Sequence, residues 1–312
     1  MNKLLLTVII IMLLGVLSAC NSIPSPATTS VPTQSRTVTI SPVTATLPSP
    51  TFSISPTLLP PFTISPTPTP SVTNTVSPST TGHPNTITFG SRTLNNNTWG
   101  APSDETLTSE VFLKPNGNYG WYWSREEPKI IPGNTGVQPI YPSVRVGASP
   151  TEQSNAAYFP IQINAIKSLT FLVAYNYLTI PTGPYNLAFD MFFSDTNRPG
   201  STLVRKAEVM VWIHGTFTQP SYTYKGDFTD AYNTYALYSW TMPGNFLYCS
   251  FISKGQLEFQ AQDSVEVKNL IDNLNLDPTW YLLGVEFGNE ITNGSGQIEI
   301  SKLVINLNGL EP

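Results

Sequence analysis

The chain has 312 residues, of which 29 are proline, and only 11% of its residues carry a formal charge. This length allows one large or two small domains, and so few charges exclude a charge-laced helical bundle or coiled coil. Beyond residue 85, 13 basic and 20 acidic side chains give a net charge of −7. An acidic region without a basic footprint argues against a nucleic-acid partner or direct binding to an anionic lipid surface.

The first twenty residues have the order of a targeting segment. A positive start at Lys3 precedes an apolar run, Leu4 to Val16, which is short for a bilayer span and is followed by a polar tract. This order is typical of a secretory signal. The closing Leu17-Ser18-Ala19-Cys20 resembles the lipobox of bacterial lipoproteins, in which the cysteine is acylated after cleavage. We expect a lipoprotein signal over residues 1–20 with Cys20 as the lipid attachment site; an ordinary signal peptide is the alternative.

The second cysteine is better explained by packing than by chemistry. If lipid occupies Cys20, Cys249 is left alone within the apolar run Phe246–Ile252, which favours a buried small side chain. The two histidines, His83 and His214, cannot complete a Cys/His metal cluster with it. An all-carboxylate calcium site stays open, although no spacing indicates one. We predict no metal and no cofactor.

Residues 21–85 have the composition of a tether. Of these 65 residues, 14 are proline and 28 are serine or threonine. Such a segment cannot bury enough apolar area to offset the entropy of ordering it. We predict a disordered linker, reaching up to roughly 200 Å where proline-rich chain extends about 3.1 Å per residue. It would hold a single domain, residues 86–312, outside the cell and tethered to the cell membrane.

The domain after Thr86 has the pattern of an all-β protein. Runs rich in β-branched and aromatic residues alternate with turn residues, which is typical of a sandwich or barrel. Only Asp263–Asn275 has a helical period, with apolar residues at i, i+3, i+4 and i+7 and Asp263 or Ser264 as a cap. We predict one large jelly-roll sandwich with this single helix packed on its convex side. The clearest predicted strands are Ser168–Tyr177, Tyr185–Phe193, Lys206–Ile213, Phe246–Ile252, Tyr281–Phe287 and Ile298–Leu307.

One strand combines an acid with a soft thioether and a large ring. Side chains alternate faces along a strand, so the aliphatic residues of Lys206–Ile213 share one face. Glu208, Met210 and Trp212 share the other face. A strand that merely faces water seldom makes this combination. It indicates a concave, aromatic-lined groove, because a sugar ring stacks its apolar C–H face on an aromatic ring.

Two more strands place carboxylates opposite an apolar face. Asp190 opposes the apolar residues of Leu187–Phe193, and Glu286 and Glu290 oppose Leu283, Val285 and Phe287, with Tyr281 at the start of the same apolar face. Two carboxylates across a groove are the minimum for glycosidic cleavage, since one attacks or activates water and the other protonates the leaving oxygen. Carboxylates that simply face water are the alternative.

Four motifs in chain order resemble those of glycoside hydrolase family 12, the endoglucanases and xyloglucanases. The predicted helix also lies between the second and third carboxylate strands, as in that family, and the resemblance covers nearly all of residues 86–312. The motifs are Asn96-Asn97-Thr98-Trp99-Gly100 (N-N-x-W-G), Ala188-Phe189-Asp190-Met191-Phe192 (A-Y-D-x-F/W), Glu208-Val209-Met210-Val211-Trp212 (E-x-M-x-W) and Phe287-Gly288-Asn289-Glu290 before Gly294-Ser295-Gly296 (F-G-x-E…G-S-G).

The resemblance implies a concanavalin-like β-jelly roll and a retaining endo-β-1,4-glucanase. Glu208 then matches the nucleophile, Glu290 the acid/base and Asp190 an acid beside the nucleophile. Trp121 and Trp123 match only loosely, and packing near a turn is the alternative for both. The residues that we expect to bind substrate are Asn97, Trp99, Trp121, Trp123, Met210 and Trp212.

The sequence departs from the family pattern and leaves alternatives open. Ile291 stands where family members often have proline, Glu286 is a rival acid/base, and Tyr141-Pro142 resembles a Y-P element that we interpret as structural. A xyloglucan-specific enzyme of the family and a non-catalytic glycan-binding lipoprotein are alternative functions. A laminarinase-type jelly roll is disfavoured, because Met210 stands where its E-x-D-x-x-E strand has Asp. We expect a monomer whose partners are a β-glucan (cellulose, mixed-linkage glucan or xyloglucan) and, through lipid alone, the membrane.

Overall fold

The computed structural model describes residues 75–77, 86–134, 136–154, 156–199, 205–217, 222–242, 244–255 and 262–311. The predicted signal segment, Cys20 and nearly all of the predicted linker lie outside the described residues. Thr75–Ser77 is the exception: it forms a strand paired with Thr86–Phe89. Among the described residues, no helix is long and apolar enough to cross a membrane.

The predicted all-β class is confirmed, since the described residues form two sheets with one short α-helix. The helix α1 is Val267–Asp272, and a 3-10 turn covers Ile163–Ala165. In chain order the strands are β1 (Thr75–Ser77), β2 (Thr86–Phe89), β3 (Arg92–Asn95), β4 (Thr108–Leu113), β5 (Tyr119–Arg125), β6 (Ser143–Gly147), β7 (Ile161–Gln162), β8 (Leu169–Thr179), β9 (Asn186–Ser194), β10 (Arg205–Gly215), β11 (Thr223–Thr229), β12 (Thr234–Met242), β13 (Phe246–Ser253), β14 (Gln262–Val265), β15 (Tyr281–Gly288) and β16 (Gly294–Leu307).

The two sheets differ in size and pack face to face. The larger sheet runs β1-β2-β3-β6-β15-β9-β10-β13-β12-β11, with β7 paired to β15, and the smaller runs β14-β8-β16-β5-β4. Their inner faces meet in the hydrophobic core, where Phe171 of the smaller sheet lies 4.6 Å from Phe189, ring centre to ring centre. The helix contacts β8 of the smaller sheet, away from the outer face of the larger sheet.

The parity predicted for the central strands is confirmed. On β9 and β10 the odd-numbered apolar residues, from Leu187 to Phe193 and from Ala207 to Val211, are buried in the core. On β15 a bulge between Leu282 and Val285 shifts the alternation, so Leu282 joins the core in place of the predicted Leu283. Because the bulge precedes Val285, it leaves Glu286 on the outer face.

The predicted helix is shorter than its periodicity suggests. Gln262–Val265 forms β14 against β8. The N-cap of α1 is Glu266, without a side-chain cap hydrogen bond, rather than Asp263 or Ser264. Pairing with an exposed strand edge satisfies the backbone of these residues and therefore replaces the first predicted turn of helix.

The prediction that Trp121 and Trp123 bind substrate is wrong. Both lie on β5 of the smaller sheet, where they are 0% and 1% exposed within the core. The indole Nε1 of Trp121 donates a 2.9 Å hydrogen bond to Asn289 Oδ1. A ring enclosed on both faces cannot stack on a sugar, so these tryptophans fill the core beneath the site.

Candidate active site

A cleft of about 760 Å³ lies on the outer face of the larger sheet. This volume is in the range of ordinary ligand-binding pockets. Its floor comes from the central strands β15, β9, β10 and β13, and one wall comes from the chain around β3 and β6. Asp190, Glu208, Glu286 and Glu290 all line it. The cleft therefore holds every carboxylate that the sequence placed opposite an apolar face.

The pairing register sets three of the predicted residues side by side. Asp190 lies opposite Met210 on β10 and opposite Glu286 on β15. Glu208 is in the next outward-facing row, opposite Phe192 on β9 and Tyr248 on β13. Met210 is buried and its sulfur accepts a 3.0 Å hydrogen bond from the Tyr248 hydroxyl. These contacts restrict the strand that carries Glu208.

Glu290 is held by contacts just beyond the end of β15. Its backbone N–H donates a 3.0 Å hydrogen bond to Asn186 Oδ1, and its carboxylate accepts one from Asn186 Nδ2. The preceding Asn289 is fully buried and donates a 2.7 Å hydrogen bond to the Asn186 carbonyl. A single asparagine at the start of β9 thus orients the Glu290 side chain over the cleft.

A buried arginine ties the chain segments around Glu290 together. The Arg125 guanidinium forms a fully buried ion pair with Glu105, at 2.6 Å. It also donates to three backbone carbonyls, those of Gly100, Gln138 and Ile291, at 3.1, 2.7 and 3.1 Å. These carbonyls belong to the segments that carry Trp99, Tyr141 and Glu290. Arg125 therefore fixes one wall of the cleft relative to Glu290.

The electrostatics of the cleft raise the pKa of both predicted catalytic glutamates. Burial, and then the charge of Glu290, raises the pKa of Glu208 to about 8. Burial raises the pKa of Glu290 to about 7, opposed by the hydrogen bond from Asn186. Because the two groups influence one another, they titrate as a pair that shares one proton near neutral pH. One ionised and one protonated carboxyl are what general acid chemistry combined with nucleophilic attack requires.

Asp190 and Glu286 both have raised pKa values, but the groups around them differ. Burial and then the charge of Glu208 raise the pKa of Asp190 well above its usual range, and its Oδ1 is buried without a hydrogen-bond partner. Burial raises the pKa of Glu286, but Arg145 and a 3.1 Å hydrogen bond from Ser143 Oγ oppose it. Glu286 therefore has its own polar partners on β6, whereas Asp190 faces the carboxylate pair.

The side chain of Arg205 places a positive charge beside Glu208. The Arg205 guanidinium Nη1 lies 4.0 Å from Glu208 Oε2 and lowers the pKa of Glu208, against the effect of burial. The guanidinium also lies over the rings of Phe192 and Phe246, at 5.9 and 5.3 Å from their centres. Cation–π contacts of this kind restrict a side chain that is half exposed.

The predicted substrate-binding residues fall into two groups. Trp99 is 58% exposed and lines the cleft with Asn97 and Met210. Trp212 lies on the outer face of β10 but is largely covered, packed 6.0 Å from Phe217 between ring centres. Its indole Nε1 is buried without a partner. The structure thus brings all four of these residues to the outer face, and the roles assigned to them stay predictions.

Several residues in or beside the cleft were not among those predicted from the sequence. Tyr141, interpreted as structural, lines the cleft while its hydroxyl donates a 3.1 Å hydrogen bond to the Ala188 carbonyl. Asn186 shares its parity with Asp190 on β9, so the alternation rule gave a signal for it. No local signal indicates Tyr222 and Met242, because they reach the cleft only through the pairing of β11, β12 and β13.

Comparisons with known proteins identify relatives of this chain. Residues 90–308 match the model of the family described as Glycosyl hydrolase family 12. Over 208 residues the chain is 27% identical to Endoglucanase S of Pectobacterium parmentieri, covering 62% of this chain and 72% of that protein. The resemblance of the four motifs to this family is thereby confirmed.

Solved structures show the same fold. A family 12 xyloglucanase from Bacillus licheniformis in complex with ligand superposes with a TM-score of 0.62 at 22% identity, covering 75% of this chain and 99% of that one. Endoglucanase cel12A from Rhodothermus marinus superposes with a TM-score of 0.57 at 19% identity, covering 72% and 93%. Because the family match spans most of the sequence and the whole of the cleft, this chain belongs to glycosyl hydrolase family 12 and is a glycoside hydrolase.

Proposed function

We propose that this chain is a secreted, lipid-anchored endo-β-1,4-glucanase that cleaves internal bonds of a β-glucan with retention, acting as a monomer. One observation carries the proposal: two glutamates with raised pKa values, Glu208 and Glu290, share an open cleft that aromatic side chains line. An open cleft suits a polymer that must bind along its length. Family membership and the name of the Pectobacterium relative support a β-glucan as the substrate.

The proposed reaction is a double displacement. The Glu208 carboxylate attacks the anomeric carbon while Glu290 gives its proton to the glycosidic oxygen, so the bond to the leaving sugar breaks and a glycosyl–Glu208 ester forms. Glu290, now ionised, takes a proton from water, and the water oxygen attacks the same carbon. The ester breaks, the sugar leaves with its original anomeric configuration, and both glutamates regain their starting states.

Asp190 and Arg205 tune this reaction from either side of Glu208. The raised pKa of Asp190 favours its neutral form, which adds no negative charge beside the nucleophile. Arg205 stabilises the ionised form of Glu208. Both effects favour the ionised form of Glu208, which is the form that the first displacement requires.

The test is sugar release from several glucans. We expect reducing ends from carboxymethylcellulose, barley β-glucan and tamarind xyloglucan, and the ratio among them distinguishes a general endoglucanase from a xyloglucan-specific enzyme. Glu208→Gln is expected to lower kcat by about 10³-fold or more while glucan binding persists. Glu286→Gln is the matched control and is expected to keep most activity, because Glu286 has its own partners on β6. Binding without release from any substrate would favour a non-catalytic glycan-binding protein instead.

The stereochemical outcome is checked separately. Proton NMR of the first products from a cello-oligosaccharide is expected to show the β-anomer before mutarotation. An initial α-anomer would contradict a covalent intermediate on Glu208 and would indicate an inverting reaction with a wider carboxyl separation.

The anchoring proposal rests on Cys20 at the end of the apolar run. Labelling with a radioactive fatty acid in the native host is expected to mark the chain, and Cys20→Ala is expected to abolish the label and release the enzyme from the membrane fraction. Cys249→Ala is the control, since Cys249 is buried in the domain. An unlabelled chain that is secreted freely would support an ordinary signal peptide.

A further inference from the structure

The outer face of the larger sheet carries aromatic side chains beyond the catalytic pair. Glu208 lies opposite Tyr248 on β13, and Tyr248 lies opposite Trp240 on β12. Neighbouring strands are about 4.8 Å apart, so the backbone of Trp240 is on the order of 10 Å from that of Glu208 along this row. We call Tyr222, Trp240 and Tyr248 the distal aromatic strip.

The rings of the distal aromatic strip pack against one another. Tyr222 stacks on Trp240 with ring centres 5.5 Å apart and planes within 10°. The Tyr222 ring also lies 5.3 Å from Tyr248, tilted by 60°. Trp240 nevertheless remains 44% exposed. A large ring that is held in place while open to solvent is preorganised for binding, because little rotamer freedom is left to lose.

The strip is continuous with the cleft and lies on the opposite side of the central strands from Trp99. Tyr222 and Tyr248 both line the cleft, and Tyr248 belongs to a small apolar cluster on the outer face that is separate from the main core. Trp99 follows β3, on the other side of the central strands from β12. A linear chain bound across the sheet from Trp99 through the carboxyl pair therefore continues over the strip.

We propose that the distal aromatic strip is a sugar-binding subsite, taking a pyranose ring of the β-glucan on the side of the catalytic pair opposite Trp99. The proposal rests on the proposed function, because it extends the same cleft. None of the three side chains carries a formal charge, and an uncharged aromatic platform matches the apolar C–H face of a neutral sugar. Trp240 supplies the exposed ring, while Tyr222 and Tyr248 set its orientation.

A second copy of this chain is a weaker candidate for covering the strip. The neighbouring β11 ends the larger sheet within the described residues, so an edge-to-edge dimer needs that strand. This strand carries exposed Lys225, and its Asp227 forms an ion pair with Lys254. Charged side chains on an edge strand oppose pairing with another copy.

The experiment measures how cleavage depends on substrate length. Wild type and Trp240→Ala are compared on cello-oligosaccharides from three to six glucose units, as kcat/KM for each. For Trp240→Ala, we expect the ratio of kcat/KM for the hexaose to that for the triose to fall about tenfold, the size of one lost ring contact. Trp240→Phe is expected to restore most of the ratio. A ratio unchanged by Trp240→Ala overturns the proposal.

Tyr232→Ala is the matched control. Tyr232 is a 62% exposed aromatic residue in the turn between β11 and β12, so its removal tests the general effect of losing a surface ring from this hairpin. Its length ratio is expected to equal that of wild type. An equal fall in both variants would overturn the proposal, because the effect would belong to the hairpin and not to the strip.

A binding assay separates this proposal from the proposed function. In the Glu208→Gln background, retardation of the chain in gels containing barley β-glucan is expected to weaken when Trp240→Ala is added. If wild type cleaves no glucan but this retardation still depends on Trp240, the catalytic proposal fails and the subsite stands. If Trp240→Ala instead dissociates a dimer in analytical ultracentrifugation and leaves retardation unchanged, the strip is an interface between copies and the subsite proposal fails.

Discussion

Glu208 and Glu290 are each unusual because the same cleft that exposes them to a substrate also removes much of their water. Burial raises both pKa values, and the proximity of the two groups raises that of Glu208 further. At neutral pH the pair therefore keeps one proton. The chemistry depends on which glutamate holds that proton. Arg205 favours the ionised form of Glu208, whereas Asn186 favours the ionised form of Glu290.

Arg205→Met is predicted to move the acidic limb of the pH–rate profile upward. The guanidinium lowers the pKa of Glu208, so without it Glu208 holds its proton to higher pH and loses its nucleophilic form sooner as the pH falls. Because Arg205 is half exposed, we expect a shift of about half a pH unit in kcat/KM. Arg205→Lys is expected to restore most of it. Lys206→Met, which removes the neighbouring cation paired with Asp195, is the control; an equal shift there would contradict a specific effect on Glu208.

Asn186→Ala is predicted to move the basic limb upward and to slow the enzyme. The hydrogen bond from Asn186 Nδ2 lowers the pKa of Glu290, so its loss raises that pKa and Glu290 keeps its proton to higher pH. The side chain also loses its orientation, and we expect kcat to fall about tenfold. The exposed Asn176→Ala on β8 is the control. A basic limb that stays in place would show that Asn186 acts on packing alone.

At the scale of secondary-structure elements, several contacts that hold the site together lie at the ends of strands. Asn186 begins β9, and Glu290 lies two residues beyond the end of β15. The segments after β3 and before β6 complete one wall, and Arg125 on β5 of the other sheet joins all of these segments through buried hydrogen bonds. Irregular backbone at strand ends has unpaired carbonyls, and a guanidinium is the side chain best suited to satisfy several of them at once.

Arg125→Met is predicted to lower the free energy of unfolding by about 3 to 5 kcal/mol. It leaves the Glu105 carboxylate buried without its cation and removes one donor from each of three backbone carbonyls. Urea denaturation measures the loss. Lys129→Met is the matched control, because Lys129 forms an exposed ion pair with Asp104 nearby, and we expect a change within about 0.5 kcal/mol. Similar losses in the two variants would contradict a special role for the buried pair.

For the whole molecule, the acidic cleft couples catalysis to stability. Four carboxyls with raised pKa values, those of Asp190, Glu208, Glu286 and Glu290, lie on one face of one sheet. The folded chain therefore holds protons that the unfolded chain has already released. Stability from these groups is full below the unfolded pKa, at about 4.5, and is lost as the pH rises through the folded values. Surface carboxyls with lowered pKa values, such as Asp227, act only at more acidic pH.

The free energy of unfolding is predicted to be lower at pH 8 than at pH 5. Glu208→Gln removes a carboxyl whose ionised form is disfavoured by burial in the cleft. The free energy of unfolding of the variant is therefore expected to exceed that of wild type at pH 8 by about 1 kcal/mol or more, with a smaller difference at pH 5. Urea denaturation of both proteins at the two pH values measures this. Glu127→Gln, the same substitution at an exposed position, is the control. A wild type that gains stability from pH 5 to pH 8 would contradict the prediction.

Much of this protein follows from local pattern. The period of two along β9 and β10 predicted which side chains are buried, and the same rule placed Asp190, Glu208, Met210 and Trp212 on the outer face. Parity was less reliable where a bulge interrupts the strand, as at Leu282 on β15. Trp121 and Trp123 were assigned to substrate through a loose match to the family, and parity within β5 does not tell which of its faces is the inner one.

The sequence by itself determined the all-β class, the carboxylates and the family of this chain, because alternation and motif spacing are properties of neighbouring residues. Only the tertiary structure decided that Asn186 holds Glu290, that Arg125 ties the cleft wall to it, and that Tyr222 at the cleft stacks on Trp240. These contacts join residues that are far apart in the chain. They depend on strand order and register, which follow from the packing of the whole core.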